Sequence, residues 1–174
     1  GMSSIKRRRL QLPVSCHPDT TVGEYVPFYF CPRSVMLYVI YRSKAFPHPE
    51  LAYQDGQEPI IHLEADVHRV IAWAQQEKVR WAISSVNAGT RYAVFWNNVA
   101  ALQRLDWTAI QATDFRDPDI KERKQAEFLV YGKVPLHLFE YVGVCTTPIQ
   151  REARRILNAA GYHMPVDVRR DWYY

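Results

Sequence analysis

The spacing of apolar positions changes several times along the chain, and each change marks an expected element. Residues 25–30 (Tyr-Val-Pro-Phe-Tyr-Phe) form a β-prone aromatic run, in which Pro27 points to a strand start or an edge. Cys31-Pro32-Arg33-Ser34 breaks that run. Met36, Leu37, Ile40 and Tyr41 then recur at helical spacing, so residues 35–41 read as a buried helix. Residues 60–65 read as a strand and 66–78 as a helix with Val67, Val70, Ile71 and Ala74 on its apolar face. Residues 80–84 are expected to be a strand and 85–89 a loop. Residues 92–96 fit a short strand or the start of a helix reaching Leu105. A less regular segment follows, punctuated by Asp106-Trp107 and by residues 114–119, where Asp119 can cap a helix running from Ile120 toward Glu127. Residues 128–130, 139–145 and 166–168 read as strands. Residues 147–160 read as a helix with Thr147 as N-cap, Pro148 in the first turn and Gly161 as its stop. Turn signals stand at 17–19 (His-Pro-Asp) and 22–24 (Val-Gly-Glu). Strands and helices do not alternate regularly, which predicts an α+β fold with a mixed or mainly antiparallel sheet.

Composition narrows the picture modestly. The 174 residues suit one domain spanning 1–174, with enough chain for a sizeable core. Gly1 ahead of Met2 reads as a residue left by tag removal. The net charge of +4 and a pI near 9.0 favour polyanionic partners, though only mildly. Three scattered cysteines, Cys16, Cys31 and Cys145, have neither CxxC nor Cys/His ligand spacing, so no structural metal is expected and the pattern suits a reducing cytoplasm. No apolar run of membrane length and no signal peptide is present.

The candidate chemistry starts at Glu127. A charged, helix-favouring run from Lys121 ends abruptly in the apolar stretch Phe128-Leu129-Val130, with Glu127 at the join. A carboxylate there either points back to solvent or has a partner that offsets the cost of its burial. Arg33 lies at a strand-to-helix turn, where helix-end N–H groups attract anions and a guanidinium can grip a phosphate; a loop cap or a surface ion pair fits it equally. The basic run Lys6-Arg7-Arg8-Arg9 could hold phosphate or be a solvated arm. Tyr92, Trp96 and Trp107, with Arg91 and Arg104, could stack and neutralise a nucleic-acid strand, or be core, the reading preferred for Trp107. His62 and His68 are left unassigned.

Residues 25–37, containing Tyr-Val-Pro-Phe-Tyr-Phe-Cys-Pro-Arg-Ser, resemble a signature of the DarT family, bacterial DNA ADP-ribosyltransferase toxins paired with a macrodomain antitoxin, DarG. Gln125-Ala126-Glu127-Phe128-Leu129-Val130, followed by Val134-Pro135, is similar to its second hallmark. Val86-Asn87-Ala88 with Thr90, Asp106-Trp107 and the closing Trp172-Tyr173-Tyr174 resemble further stretches of it. The resemblance implies a split sheet flanked by helices with NAD in the cleft, and transfer of ADP-ribose from NAD to a base of single-stranded DNA with release of nicotinamide. It implies that Glu127 is the catalytic glutamate and that Arg33 lies near the NAD phosphates and the reacting base. It further implies that Ser34, Phe30 and Asn87 line the cofactor site, and that Arg91, Tyr92, Trp96 and Arg104 face the DNA. Family members open with a strand bearing a His-x-Thr-His segment that helps bind NAD. The sequence has no such segment, so the sheet is expected to lack that strand and the site part of its NAD pocket. A truncated, non-catalytic nucleic-acid-binding domain is the alternative this departure raises. Which base is modified is not legible.

Overall fold

The computed structural model describes residues 7–49 and 51–174; Lys6, the first residue of the basic run, lies outside them. The strands are β1 (Pro13–Val14), β2 (His17–Thr21), β3 (Tyr25–Tyr29), β4 (His62–Glu64), β5 (Trp81–Ser84), β6 (Phe95–Trp96), β7 (Glu127–Tyr131), β8 (Tyr141–Val144) and β9 (Val166–Val168). The α-helices lying wholly within the described residues are α1 (Val35–Ser43), α2 (Val67–Gln76), α3 (Trp107–Gln111), α4 (Pro118–Arg123) and α5 (Thr147–Ala159). The strands form a β1-β2 hairpin, a four-stranded sheet in the order β3-β7-β5-β6 and a three-stranded sheet in the order β4-β8-β9. Every pair is antiparallel except β8 and β9, so the expected mixed, mainly antiparallel character holds.

Strand β7 is the middle of the architecture. It pairs with β3 on one side and β5 on the other, and its first four residues are buried. Side chains alternate across a strand, so an unbroken apolar run needs cover on both faces. Phe128 and Val130 pack with Val70 and Ile71 of α2, Trp81, Ile83 and Ile110. Leu129 packs on the other face with Val14 of β1, Val22, Tyr25, Ala82, Ala88 and Phe95. Glu127, two residues before Leu129, shares that second face, the one covered by the N-terminal segment.

The helices follow the apolar periodicity, and their caps correct the expected ends. Ser34 caps α1 by accepting from the Leu37 N–H (3.1 Å), and Asp66 caps α2 through the Arg69 N–H (2.8 Å). Asp117, rather than Asp119, caps α4, accepting from the Asp119 N–H at 2.8 Å with Pro118 in the first turn; the helix ends at Arg123 instead of running to Glu127. The N-cap of α5 is Thr146 rather than Thr147. The expected turn at His17-Pro18-Asp19 is instead part of β2, and the region between Trp96 and Leu105 is a short strand followed by a 3-10 helix, Val99–Arg104. No helix among the described residues is long and apolar enough to cross a membrane.

Candidate active site

Glu127 is fully buried at the first position of β7. Its backbone N–H donates to Ser84 Oγ (3.0 Å), and that hydroxyl donates to Val86 O (2.6 Å), tying the ends of β7 and β5 together. The carboxylate takes three donors. Arg9 grips it in a fork, Nη1 to Oε1 at 3.0 Å and Nη2 to Oε2 at 2.9 Å, and the Ala88 N–H donates to Oε1 at 3.0 Å. Of the two alternatives open for Glu127, a partner rather than solvent is therefore realised. The pair is nearly dry, with 14% of the Arg9 side chain and 1% of the Glu127 side chain exposed. Removing one member of such a pair typically costs about 3–5 kcal/mol, because a charge is left buried without compensation.

The loop after β5 is shaped around this carboxylate. Asn87 Oδ1 accepts from the Gly89 N–H (2.8 Å), and Asn87 Nδ2 donates to Gln125 Oε1 (3.3 Å), which turns the Ala88 N–H toward Glu127. On the opposite side Tyr29 is the cross-strand partner of Glu127. Burial, reinforced by the nearby Glu127 charge, pushes the Tyr29 phenol well above its usual range, so it is protonated at any physiological pH.

Arg33 lies four residues beyond Tyr29, where the chain leaves β3 for α1 at the same end of the sheet. Its guanidinium sits 4.5 Å from the centroid of the Tyr174 ring, and its Nε is buried with no hydrogen-bond partner among the described residues. Tyr174 is pinned in turn. Its hydroxyl donates to Arg33 O (2.8 Å), its N–H donates to Gln57 Oε1 (3.0 Å), and its carbonyl accepts from Gln57 Nε2. Burial pushes its phenol up to about 12, so the hydroxyl stays a donor.

Glu127 opens β7 opposite Tyr29, and Arg33, with its orphaned Nε, follows four residues after Tyr29 in the turn out of β3. The family model for the ssDNA thymidine ADP-ribosyltransferase DarT matches residues 1–174. The chain belongs to the DarT family. A DNA ADP-ribosyl transferase of Thermus aquaticus is 37% identical over 172 residues, which is 98% of this chain and 72% of that protein. Among solved structures, Thermus sp. 2.9 DarT in complex with ADP-ribosylated ssDNA superposes with a TM-score of 0.88 at 37% identity, covering 100% of this chain and 80% of that one. Thermus sp. 2.9 DarT in complex with NAD+ gives a TM-score of 0.79 at 33% identity, covering 98% and 90%. The split α+β fold is thus that of the DarT ADP-ribosyltransferases.

Within that family fold, the other expected site residues are distributed unevenly. Asn87 stands in the loop at Glu127, with both ends of its amide engaged as described. Ser34 caps α1, and Phe30 packs on the core and makes an edge contact with Trp107 at 5.5 Å. Arg104 lies 5.7 Å from the Trp96 ring, and Arg91 and Tyr92 are exposed. Trp107, expected in the core, is 40% exposed, with its indole N–H donating to Leu102 O (2.9 Å). The largest omission from the sequence reading is Arg9. A basic run predicts solvent or phosphate, and only the alternation that puts Glu127 on the face of Leu129 hints at an N-terminal partner. Lys124 was also missed: its ammonium is buried against Ile110 O (2.7 Å) and Cys31 Sγ (3.5 Å). Among the described residues no group of three or more His, Cys, Asp or Glu is arranged to hold a metal ion.

Proposed function

We propose that this chain transfers ADP-ribose from NAD to a thymidine base of single-stranded DNA and releases nicotinamide, with Glu127 as the catalytic carboxylate and Arg33 as the phosphate-side cation. The observation that carries this reading is the buried Glu127 carboxylate, held at the head of β7 by three donors in a chain whose whole length matches the DarT family. NAD supplies the ADP-ribosyl group, and its positively charged nicotinamide is the leaving group. Glu127 acts where positive charge builds between ground and transition state. A fixed anion in a dry site needs no reorganisation at that moment, so it favours the transition state over the bound substrate. Arg33, with its unpartnered Nε and its aromatic backing, fits the pyrophosphate. Ser34, Phe30 and Asn87 complete the cofactor side of the reading. Arg91, Tyr92, Trp96 and Arg104 present exposed or half-buried rings and cations to the strand, where base stacking contributes about 1–3 kcal/mol per base.

The same reading pairs the chain with a DarG-type macrodomain antitoxin and assigns it to the cytoplasm, in keeping with the family resemblance and the three free cysteines. The experiment incubates the protein with NAD and single-stranded oligonucleotides with and without thymidine, then weighs them. Gain of one ADP-ribosyl group by the thymidine oligonucleotide alone is expected. No gain on any DNA, with DNA binding indifferent to NAD, would leave a nucleic-acid-binding domain instead.

A further inference from the structure

Lys124 is a buried cation that the chemistry described above does not use. It is 2% exposed, at the end of α4 and three residues before Glu127. Its ammonium donates to Ile110 O in α3 (2.7 Å) and to Cys31 Sγ (3.5 Å), and lies 5.8 Å from the centroid of the Phe115 ring. Among the described residues no carboxylate forms an ion pair with it; Asp106, the cap of α3, pairs with the adjacent Arg123 instead (3.3 Å). Burial pushes the Cys31 thiol above its ordinary range, so the sulfur is a neutral acceptor and not a counter-charge. Taking an ammonium out of water without a counter-charge is unfavourable, and an apolar side chain of similar length would fill the same space without that penalty. Packing alone therefore does not call for a lysine here.

What the ammonium does, and an apolar chain would not, is tie separate segments together at Arg33. Cys31 stands two residues before Arg33. Pro32 between them has its φ fixed by its ring, and the Ser34 N–H donates to Pro32 O (3.0 Å). In so short a turn, the place of Cys31 sets where the Arg33 side chain starts. Phe115, beside the ammonium, meets Tyr174 at 6.2 Å, and Tyr174 is the ring 4.5 Å from the Arg33 guanidinium. Lys124 thus touches both supports of Arg33, the turn that precedes it and the ring cluster that backs it, and anchors them to the end of α3.

We propose that Lys124 is a positioning residue for Arg33, holding the turn at Cys31 and the Phe115–Tyr174 rings so that the Arg33 guanidinium meets the pyrophosphate of NAD. This rests on the reading of Arg33 as the phosphate-side cation. Lys124 touches no substrate atom; it acts through Arg33. Its loss therefore weakens NAD binding without lowering the stability of the fold.

The test is a double-mutant cycle on the full chain with Lys124→Met, Arg33→Ala and the two combined, each melted and titrated with NAD by calorimetry. Lys124→Met is expected to bind NAD about tenfold more weakly, equivalent to about 1.4 kcal/mol. Its Tm should equal or exceed that of the wild type, because methionine removes a buried charge without a counter-ion. In ADP-ribosylation of a thymidine oligonucleotide its KM for NAD should rise with kcat unchanged. On top of Arg33→Ala the same substitution should change NAD affinity by less than about twofold, since residues that act through one another are not additive. Cys31→Ala keeps the ammonium on Ile110 O and cuts only the link to the turn; it should weaken NAD binding about threefold, and it carries the test if Lys124→Met does not fold. Unchanged NAD affinity in a folded Lys124→Met or in Cys31→Ala, a loss confined to kcat, or the full tenfold effect persisting beside Arg33→Ala would overturn the proposal. Unchanged NAD affinity in Arg33→Ala would overturn the reading of Arg33 and this proposal together; weak binding in Arg33→Ala with normal binding in Lys124→Met would overturn this proposal alone.

Discussion

Replacing Tyr174 with alanine removes the platform beneath Arg33. The ring lies 4.5 Å from the Arg33 guanidinium and meets Tyr38, Tyr41 and Phe115 at centroid distances of 5.1, 6.1 and 6.2 Å. A cation–π contact contributes about 0.5–2 kcal/mol and an aromatic pair about 0.5–1.5 kcal/mol beyond its buried area. The hydroxyl bond to Arg33 O adds about 1 kcal/mol net. These terms overlap and the ring is only partly buried, so the expected loss is about 3 kcal/mol, the low end for an aromatic-to-alanine change. For a chain of this size that is a drop in Tm of about 6–12 °C. Tyr174→Phe loses only the hydroxyl and should fall by about 2–4 °C. Because Arg33 loses its backing, KM for NAD should rise about tenfold in Tyr174→Ala, equivalent to about 1.4 kcal/mol. Calorimetric melts and NAD titration of both variants read this out. An unchanged KM in a folded Tyr174→Ala would refute the idea that this ring positions Arg33. Equal damage from Tyr174→Phe would shift the whole effect to the hydroxyl.

Two further outcomes follow from the second sheet. Burial against Trp172 and Tyr173 pushes the His62 imidazole down to about 4, against about 6.5 when unfolded. The folded state then keeps His62 neutral while the unfolded chain takes up a proton, so stability is complete above pH 6.5 and is lost as pH falls toward 4. With the ring only half-buried, the loss is about 1–2 kcal/mol, and denaturant melts at pH 7 and pH 4.5 should show a smaller acid loss in His62→Phe; an equal loss in both proteins would contradict the assignment. A Cβ at Gly143 would run into the Trp172 ring, so Gly143→Ala should destabilise by about 1–3 kcal/mol and change tryptophan fluorescence. Unchanged melting would show that the C-terminal ring moves aside freely.

The sequence carried the local part of this structure. Helical spacing at Val67, Val70, Ile71 and Ala74 and the aromatic run beginning at Tyr25 each produced an element close to where it was expected, because those patterns encode which face is buried. Glu127 stood out because a charged run stops there and an apolar strand begins. What one stretch does not contain is its partner. Arg9 looks like any solvated basic residue until β7 is seen between two strands, with its Glu127 face covered by the N-terminal hairpin. Lys124 was hidden for the same reason: it ends a polar helix, yet its ammonium finds the carbonyl of Ile110 at the end of α3. His17-Pro18-Asp19 has turn composition, but pairing with β1 makes it a strand.

A single-turnover measurement on Glu127→Gln, with NAD binding measured on the same sample, isolates the role of the Glu127 charge. Glutamine keeps the shape and size of the side chain but removes its charge. If Glu127 is the catalytic carboxylate, ADP-ribosyl transfer to the thymidine oligonucleotide is almost completely lost, with NAD affinity close to that of the unsubstituted chain. Transfer at the original rate by Glu127→Gln would contradict that role.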